Sequence, residues 1–150
     1  MLERAVPLNA LTHHVQGIAI DGERLWVTSV ERASRKGRLY EFSGRTGAGQ
    51  RLVEIQDGDR YHPGGIASDE ASLWIPVAEY RARSSAWIEK RSKSTLELEH
   101  RFAVEDHIGA VAAPPGKLLG ANWDAKTIYE WDRDGRLISR TANPGDGRYQ

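Results

Sequence analysis

The sequence predicts an all-β protein, half of a β-propeller made of three four-stranded antiparallel blades. A motif of about one blade's length recurs along the chain, and the segments within each copy are short and rich in β-branched and aromatic residues. Turn-forming residues separate these segments, as is typical of strands. The predicted single domain spans residues 1–150, with blades at about 14–55, 62–104 and 107–141.

The internal repeat is the strongest signal of this fold. Gly17 and Gly65 are 48 residues apart, and so are Trp26 and Trp74. The first two copies share Gly-Ile-Ala and Leu-Trp. A weaker third copy begins at His107, and its Gly109 lies 44 residues after Gly65. A propeller blade has this length, whereas a β-sandwich gives no reason for a fixed step.

Four strands are predicted in each copy, from the axis outwards. The first copy has strands at 17–20, 24–30, 38–42 and 51–55, the second at 65–68, 73–77, 86–90 and 97–104, and the third at 109–112, 117–122, 127–132 and 137–141. Glycine opens each inner strand, where neighbouring blades crowd the axis. Four tryptophans fall inside strands and are predicted to pack between blades: Trp26, Trp74, Trp87 and Trp131.

The two ends of the chain lead to a prediction about assembly. Residues 4–9 are predicted to form one more outer strand, and the chain stops where a fourth blade would begin. Three stacked blades leave two apolar end faces uncovered, which is unfavourable in a repeat protein. We therefore expect a homodimer in which two chains close a six-bladed ring.

Composition excludes several kinds of partner. Lys and Arg together number 21, as do Asp and Glu, so there is no overall charge to attract nucleic acid or an anionic membrane surface. No segment approaches the roughly 18 apolar residues of a membrane span, and no signal peptide is recognisable at the N-terminus. The sequence therefore predicts a cytoplasmic protein that binds neither nucleic acid nor membrane.

Three histidines and three carboxylates recur at equivalent places in the repeat. His14, His62 and His107 enter inner strands, and Glu31, Glu79 and Asp124 leave second strands. In a propeller these two kinds of loop surround the same mouth of the central channel. His62 and His107 are therefore candidate catalytic residues, and the carboxylates are candidate ligands for a divalent metal such as calcium. A carboxylate at a strand end can also bond only its own loop, so a structural role stays open.

Basic residues follow in the same loops: Arg32, Arg35, Lys36, Arg81, Arg83 and Lys126. A carboxylate or phosphate would be attracted to such a rim, so an anionic small molecule is an expected ligand. His14, Arg81 and Trp123 are the candidate binding residues, Trp123 because it ends a strand beside Asp124. The alternative is that these charges are merely solvated.

Several segments carry a resemblance to a known group of proteins. They run from His13 to Gly17, from Asp59 to Ile66, from Trp74 to Tyr80 and from Asp106 to Ala110. The chain resembles a family of uncharacterised bacterial six-bladed β-propellers, distantly similar to the calcium-dependent gluconolactonase group, and it covers about three of those blades. It has no obvious match to the Glu, Asn and Asp calcium ligands of the gluconolactonases.

Two functions of different classes fit this sequence. One is a lactonase-like or other metal-assisted hydrolase with its site on the channel rim. The other is a non-enzymatic ring that binds a ligand or a protein through the same loops. An inactive fragment or an engineered half-propeller is a third reading, and the fold alone does not decide because propellers host many functions.

Overall fold

The computed structural model describes residues 4–145, which form three antiparallel sheets that follow one another along the chain. The first contains β1 (His14–Asp21), β2 (Arg24–Glu31), β3 (Lys36–Ser43) and β4 (Gly49–Glu54). The second contains β5 (Arg60–Pro63), β6 (Ala67–Ser68), β7 (Ser72–Glu79), β8 (Ala86–Ser92) and β9 (Leu98–Val104). The third contains β10 (Ile108–Ala112), β11 (Leu118–Asn122), β12 (Thr127–Trp131) and β13 (Leu137–Ala142). The prediction of three four-stranded antiparallel blades is confirmed. No helix capable of crossing a membrane occurs within residues 4–145.

The inner strand of the second blade departs from the predicted segment at 65–68. It is split into β5 and β6, which both pair with β7, and Gly64 and Gly65 lie between them. At the break, Gly65 leaves its own sheet and donates its backbone N–H to the carbonyl of Gly109 in the third blade at 2.8 Å. The inner strands of two blades are thereby joined directly at the axis.

Glycine is required where these inner strands approach each other. A Cβ on Gly64 would collide with the carbonyl of Gly109, and a Cβ on Gly17 would lie 2.8 Å from the Cα of Gly65. Both contacts would be shorter than those that real Cβ atoms make with backbone, so a side chain at either position would push the blades apart. The predicted crowding is thus present at Gly17, whereas a Cβ on Gly109 would have its nearest contact at 3.8 Å.

The first two blades each bury a tryptophan against the blade that follows, and Trp131 of the third blade packs back on the second. Trp26 packs with Ile75 and Val77 of the second blade, and Trp74 packs with Leu118 and Trp131 of the third. These three tryptophans are at most 3 % exposed, as the sequence predicts for blade-to-blade core. Burial of such large aromatic areas is the main force that stacks the blades.

Trp87 does not belong to this core, which corrects the prediction. It is half-buried, and its ring lies between two guanidinium groups, 5.3 Å from that of Arg60 and 4.3 Å from that of Arg101. These cations cover the ring and remain partly in contact with water. Trp87 therefore takes part in cation–π stacking near the surface instead of filling the space between blades.

Residues 4–9 form no strand in this chain, contrary to the prediction. They cross the hairpin between β3 and β4, where Asn9 donates its N–H to the carbonyl of Gly47 at 2.9 Å. Gly47 has a left-handed φ of 73°, and a side chain there would collide with Pro7. Leu8 packs on the exposed side of the first blade with Val27. The segment therefore covers part of that face without joining a sheet.

Candidate functional site

A cavity of about 400 Å³ lies at the axis, where inner strands begin and second strands end. Its lining includes the three histidines that the repeat places on one rim, together with Tyr80, Asn122 and Trp123. Glycine and alanine form much of the remaining wall, and no carboxylate lines it in the part of the chain that is described. A compact, mostly apolar cavity with a few polar groups is the usual form of a small-molecule site.

His62 lies at the centre of this cavity wall. Its ring centroid is 4.4 Å from that of Tyr80 and 5.3 Å from that of His107. Its Nδ1 is buried without a hydrogen-bond partner in the described structure. Burial, followed by the neighbouring His107 and His14, lowers the pKa of His62 to about 4. The imidazole is therefore neutral at physiological pH.

His107 is held in one tautomer. Its Nδ1 donates to the backbone carbonyl of Arg81 at 2.9 Å, so in the neutral ring Nε2 carries the lone pair. Burial lowers the pKa of His107, against the opposing effect of hydrogen bonds to the carbonyls of Arg81 and Glu79. His107 is only 2 % exposed, which explains why the effect of burial on its pKa dominates.

Asp106 holds the loop that carries His107. Its Oδ1 accepts the backbone N–H of His107 at 2.8 Å, and its Oδ2 accepts from the Asn122 side chain at 3.1 Å and the Tyr129 hydroxyl at 2.7 Å. Burial and then this hydrogen bond raise the pKa of Tyr129 to about 12. Asp106 thus fixes two residues of the cavity wall, a role that the sequence analysis did not assign.

Trp123 follows β11 and lines the cavity beside both histidines. Its ring meets the His107 ring edge-on with centroids 4.5 Å apart, and it lies 6.0 Å from His62. His14, from the first blade, also lines the cavity, and its Nδ1 is 3.0 Å from the side-chain nitrogen of Gln16. The structure therefore gathers His14, His62, His107 and Trp123; their roles in binding or catalysis stay predictions.

The inner strand of every blade is irregular at this rim. The pairing register shifts between Val15 and Gly17 in β1, between Arg60 and His62 in β5, and between Ile108 and Ala110 in β10. One residue in each blade is therefore unpaired, as in a β-bulge. Bulges redirect side chains and are common beside functional sites.

Three of the six basic residues predicted for the rim form ion pairs. Arg81 forms an ion pair with Glu79 at 2.6 Å, and its side chain is 68 % exposed, so it contributes its carbonyl and not its guanidinium to the site. Arg35 pairs with Asp59 and Lys36 with Glu54, among the described residues. These pairs remove much of the positive field that the sequence suggests.

Arg32 behaves differently from its basic neighbours. Its guanidinium lies 5.2 Å from the ring centroid of Tyr80, which lines the cavity, and the side chain is exposed. It forms no ion pair with any residue in the described range 4–145. A cation at the mouth of the cavity is therefore available to a ligand.

The three predicted metal ligands are not brought together. Glu31 accepts hydrogen bonds from Ser34 at 2.5 Å and Arg38 at 2.6 Å, and these two contacts lower the pKa of its carboxyl group. Burial alone would raise the pKa of Glu79. Hydrogen bonds from Arg81 and from another residue of the same loop lower this pKa by more, so the pKa of Glu79 is lowered overall.

No three His, Asp or Glu side chains in residues 4–145 are arranged so that they could hold a metal ion. Within that range Glu31, Glu79 and Asp124 form no such cluster, and their role as ligands of a divalent metal stays a prediction. Arginine and serine partners from their own hairpins already hold the carboxylates of Glu31 and Glu79. The repeated carboxylate is explained there by loop structure.

Comparison with known proteins identifies the family. A family model described as a family of unknown function, DUF6454, matches residues 3–148. The chain belongs to this family. A search of curated proteins returned no match to the sequence.

Solved structures show a propeller-like fold for this family member. Myxococcus xanthus glutaminyl cyclase is similar with a TM-score of 0.72 and 15% identity, over 99% of this chain and 58% of that chain. The computationally designed Ika4 protein has a TM-score of 0.67 and 15% identity, over 99% and 82% of the two chains. The RRP9 WD40 repeats have a TM-score of 0.68 and 12% identity, over 95% and 45%.

The chain therefore spans less than two thirds of the glutaminyl cyclase chain that it matches. At such low identity these similarities concern the fold alone. The resemblance to the gluconolactonase group and the closure of a six-bladed ring stay predictions.

Proposed function

We propose that the cavity binds a small organic molecule with a flat apolar body and an anionic group. The observation that carries this proposal is a cavity walled by aromatic rings and two neutral imidazoles, with the exposed cation Arg32 above Tyr80 at its mouth. The rings of Tyr80 and Trp123 offer faces and edges on which a flat ligand can stack. The imidazole nitrogens offer hydrogen bonds without introducing charge.

The charge of the wall favours one sign of ligand. No carboxylate lines the described cavity, so a cationic ligand would be desolvated there without a counter-charge. An anionic group directed towards Arg32 would form a charge-assisted hydrogen bond at the solvent-exposed mouth. The flat part of the same molecule would lie deeper, beside His62 and His107.

Three probes of similar shape test this proposal: benzoate, benzamide and benzylamine. Binding is followed by tryptophan fluorescence and isothermal titration calorimetry, since Trp123 lies in the wall. We expect benzoate and benzamide to bind, benzoate more tightly, and benzylamine not to bind. Tight binding of benzylamine alone would contradict the proposal.

Two variants identify the residues responsible. Arg32→Ala should remove the preference for benzoate over benzamide, about tenfold for one charge-assisted hydrogen bond at an exposed position. Arg83→Ala is the matched control, an exposed rim arginine that, unlike Arg32, stacks on no ring of the cavity lining among the described residues. Trp123→Ala should weaken binding of both probes. If Arg83→Ala acts like Arg32→Ala, the effect is only one of general charge.

A hydrolase of esters or lactones is the second candidate function. The observation that favours it is the fixed tautomer of His107, in which Nε2 keeps its lone pair and can accept a proton from water. The similarity to a glutaminyl cyclase supports an enzymatic role for a fold of this kind. In this candidate His107 acts as the base and His62 as a neutral hydrogen-bonding partner of the substrate.

Hydrolysis of simple lactones, followed by acid release at constant pH, tests this second candidate. We expect His107→Gln to abolish the rate above that of buffer, while His100→Gln, a histidine in β9 outside the cavity lining, leaves it unchanged. A wild-type rate equal to that of buffer for all lactones would remove the candidate. It would leave the ligand-binding proposal intact.

A further inference from the structure

The two end faces of the three-blade stack are apolar and partly open. On the first blade, Ile18 and Ile20 of β1 are 58 % and 67 % exposed. They share a face with Val27 and Leu25, their partners in β2, and this face points away from the second blade. On the third blade, Leu119 is half-buried and opposes Ala112 across the sheet. Within residues 4–145 neither face is covered by a neighbouring blade.

One row on the open face of the third blade corresponds to rows that are already buried inside the chain. In the first blade Ala19, Trp26 and Glu41 lie side by side across three strands. In the second blade the row is Ala67, Trp74 and Lys90, and in the third it is Ala112, Leu119 and Glu130. The first two rows pack on the next blade through their tryptophans, so the third row marks a face that is built to receive a blade.

Both internal interfaces carry the same kind of ion pair at the end of the blades opposite the cavity. Lys93 of the second blade donates to Asp21 of the first at 2.8 Å, with its Nζ 5.6 Å from the ring centroid of Trp26. Arg133 of the third blade likewise donates to Asp69 of the second at 2.8 Å, above Trp74. In each pair, a cation after the third strand of one blade reaches the first hairpin of the preceding blade.

The first blade lacks this cation. In the turn after its third strand, Gly44 occupies the position that Lys93 has in the second blade. The backbone N–H of Gly44 donates to the carbonyl of Glu23, and that of Lys93 donates to the carbonyl of Ala71. In each case the acceptor lies in the first hairpin of the same blade. Leu96, which is buried between the first two blades, has Gly47 as its counterpart in the first blade. Each of these residues donates its backbone N–H to the carbonyl of the serine that ends the third strand of its own blade. The chain passes over Gly47 at Pro7, where a preceding blade would otherwise pack.

The segment 4–9 therefore occupies the outer part of the first face, and the inner part with Ile18 and Ile20 stays open. A blade packed on this face would contact the apolar inner strands near the axis. Its outer strands would contact the segment 4–9.

We propose that two copies of this chain pair head to tail, with the first blade of each packed on the third blade of the other. A second copy is the occupant because the open face of the third blade repeats a row that the chain buries twice within itself, and the open face of the first blade offers exposed apolar side chains, Ile18 and Ile20, to cover it. Repeating a head-to-tail contact about a closing axis gives a ring with no uncovered face.

This pairing would also complete the cavity. Ala110 and Ala121 lie on the open face of the third blade, on the same side of the sheet as Leu119, and both line the cavity. The first blade of the second copy would close that side and bring its own His14 to the rim. The inference does not depend on which ligand the cavity binds.

Light scattering coupled to size-exclusion chromatography tests the assembly on the wild-type chain at micromolar concentration. We expect a single species with twice the 16.7 kDa mass of the chain. Ile18→Glu on the first face and Leu119→Glu on the third should each give folded monomers, with at least a tenfold weaker association. Leu98→Glu, at a 42 % exposed leucine on the outermost strand of the second blade, is the control and should remain dimeric.

Mixing the two monomeric variants distinguishes head-to-tail pairing from pairing of identical faces. In a mixed dimer one interface carries both glutamates and the other carries none, so an Ile18→Glu and Leu119→Glu mixture should recover a heterodimer in native mass spectrometry. A wild-type monomer, a dimer unaffected by either substitution, or an open-ended polymer would each overturn the proposal. Failure of the mixture to associate would overturn the head-to-tail arrangement.

Discussion

The two tryptophans at equivalent positions of the repeat allow a matched measurement of one buried hydrogen bond. Trp26 and Trp74 are both almost fully buried between blades. The indole N–H of Trp74 donates to Asp69 at 2.8 Å, whereas that of Trp26 is buried without a partner among the described residues. Asp21, the counterpart of Asp69, is bound to Lys93 instead. Replacing each tryptophan by phenylalanine removes a similar volume but a different polar contact.

The expected loss of stability differs for the two sites. A hydrogen bond to a charged group contributes about 1.5 to 3 kcal/mol, and Trp74→Phe breaks one while leaving the Asp69 carboxylate short of a donor. Trp26→Phe removes an N–H whose unsatisfied burial costs about 1 to 3 kcal/mol, which offsets the cavity that it leaves. We expect Trp74→Phe to lower the free energy of unfolding by about 3 kcal/mol and Trp26→Phe by about 1 kcal/mol or less.

Urea unfolding followed by far-ultraviolet circular dichroism measures both changes, because this signal does not depend on the substituted indole. Asp69→Asn, alone and combined with Trp74→Phe, completes a double-mutant cycle that isolates the coupling between the two groups. Equal losses for the two phenylalanine variants would refute the reasoning. A coupling energy near zero would mean that the Trp74–Asp69 contact does not stabilise the fold.

Two further predictions concern the axis. Because the pKa of His62 is about 4 in the folded chain and about 6.5 when unfolded, its contribution to stability is complete above pH 6.5 and is lost as the pH falls towards 4. Urea unfolding at about pH 4.5 should give a free energy about 2 to 3 kcal/mol lower than at about pH 7.5, and His62→Gln should flatten this slope; an unchanged slope would exclude His62 as its source. Gly64→Ala, which would collide with the Gly109 carbonyl, should destabilise by about 1 to 3 kcal/mol, and the control Gly109→Ala, with nearest contacts at 3.8 Å, should be nearly neutral; equal effects would disprove the crowding argument.

The strands could be predicted because every blade repeats the same local pattern of apolar residues and turns. Leu-Trp followed by β-branched residues specifies a buried second strand in both of the first two blades, and the structure places Trp26 and Trp74 there. Trp87 shows where this reasoning fails. It lies in a strand as expected, but its exposure depends on Arg60 and Arg101, which reach it from other strands. Sequence periodicity does not indicate such contacts.

The candidate site was predicted only in part, for a similar reason. The repeat places the histidines on one rim because equivalent positions in successive blades surround the same axis. It does not show which carboxylates are already paired, since Glu31 reaches Arg38 and Glu79 reaches Arg81 at different spacings. Tyr80 follows Glu79 directly in the chain, and its place in the rim loop was the available signal for a cavity residue.

The irregularities of the fold are concentrated where the cavity lies. Each inner strand gives up one regular pairing at the rim, and in the first and third blades the unpaired residues, Gln16 and Gly109, themselves line the cavity. In the second blade the same shift precedes His62, and the strand then breaks at Gly64. A stack of regular blades would be more stable without these departures, since each leaves backbone groups outside the ladder. Their recurrence at one end of all three blades therefore favours a binding role for this rim over a purely structural one.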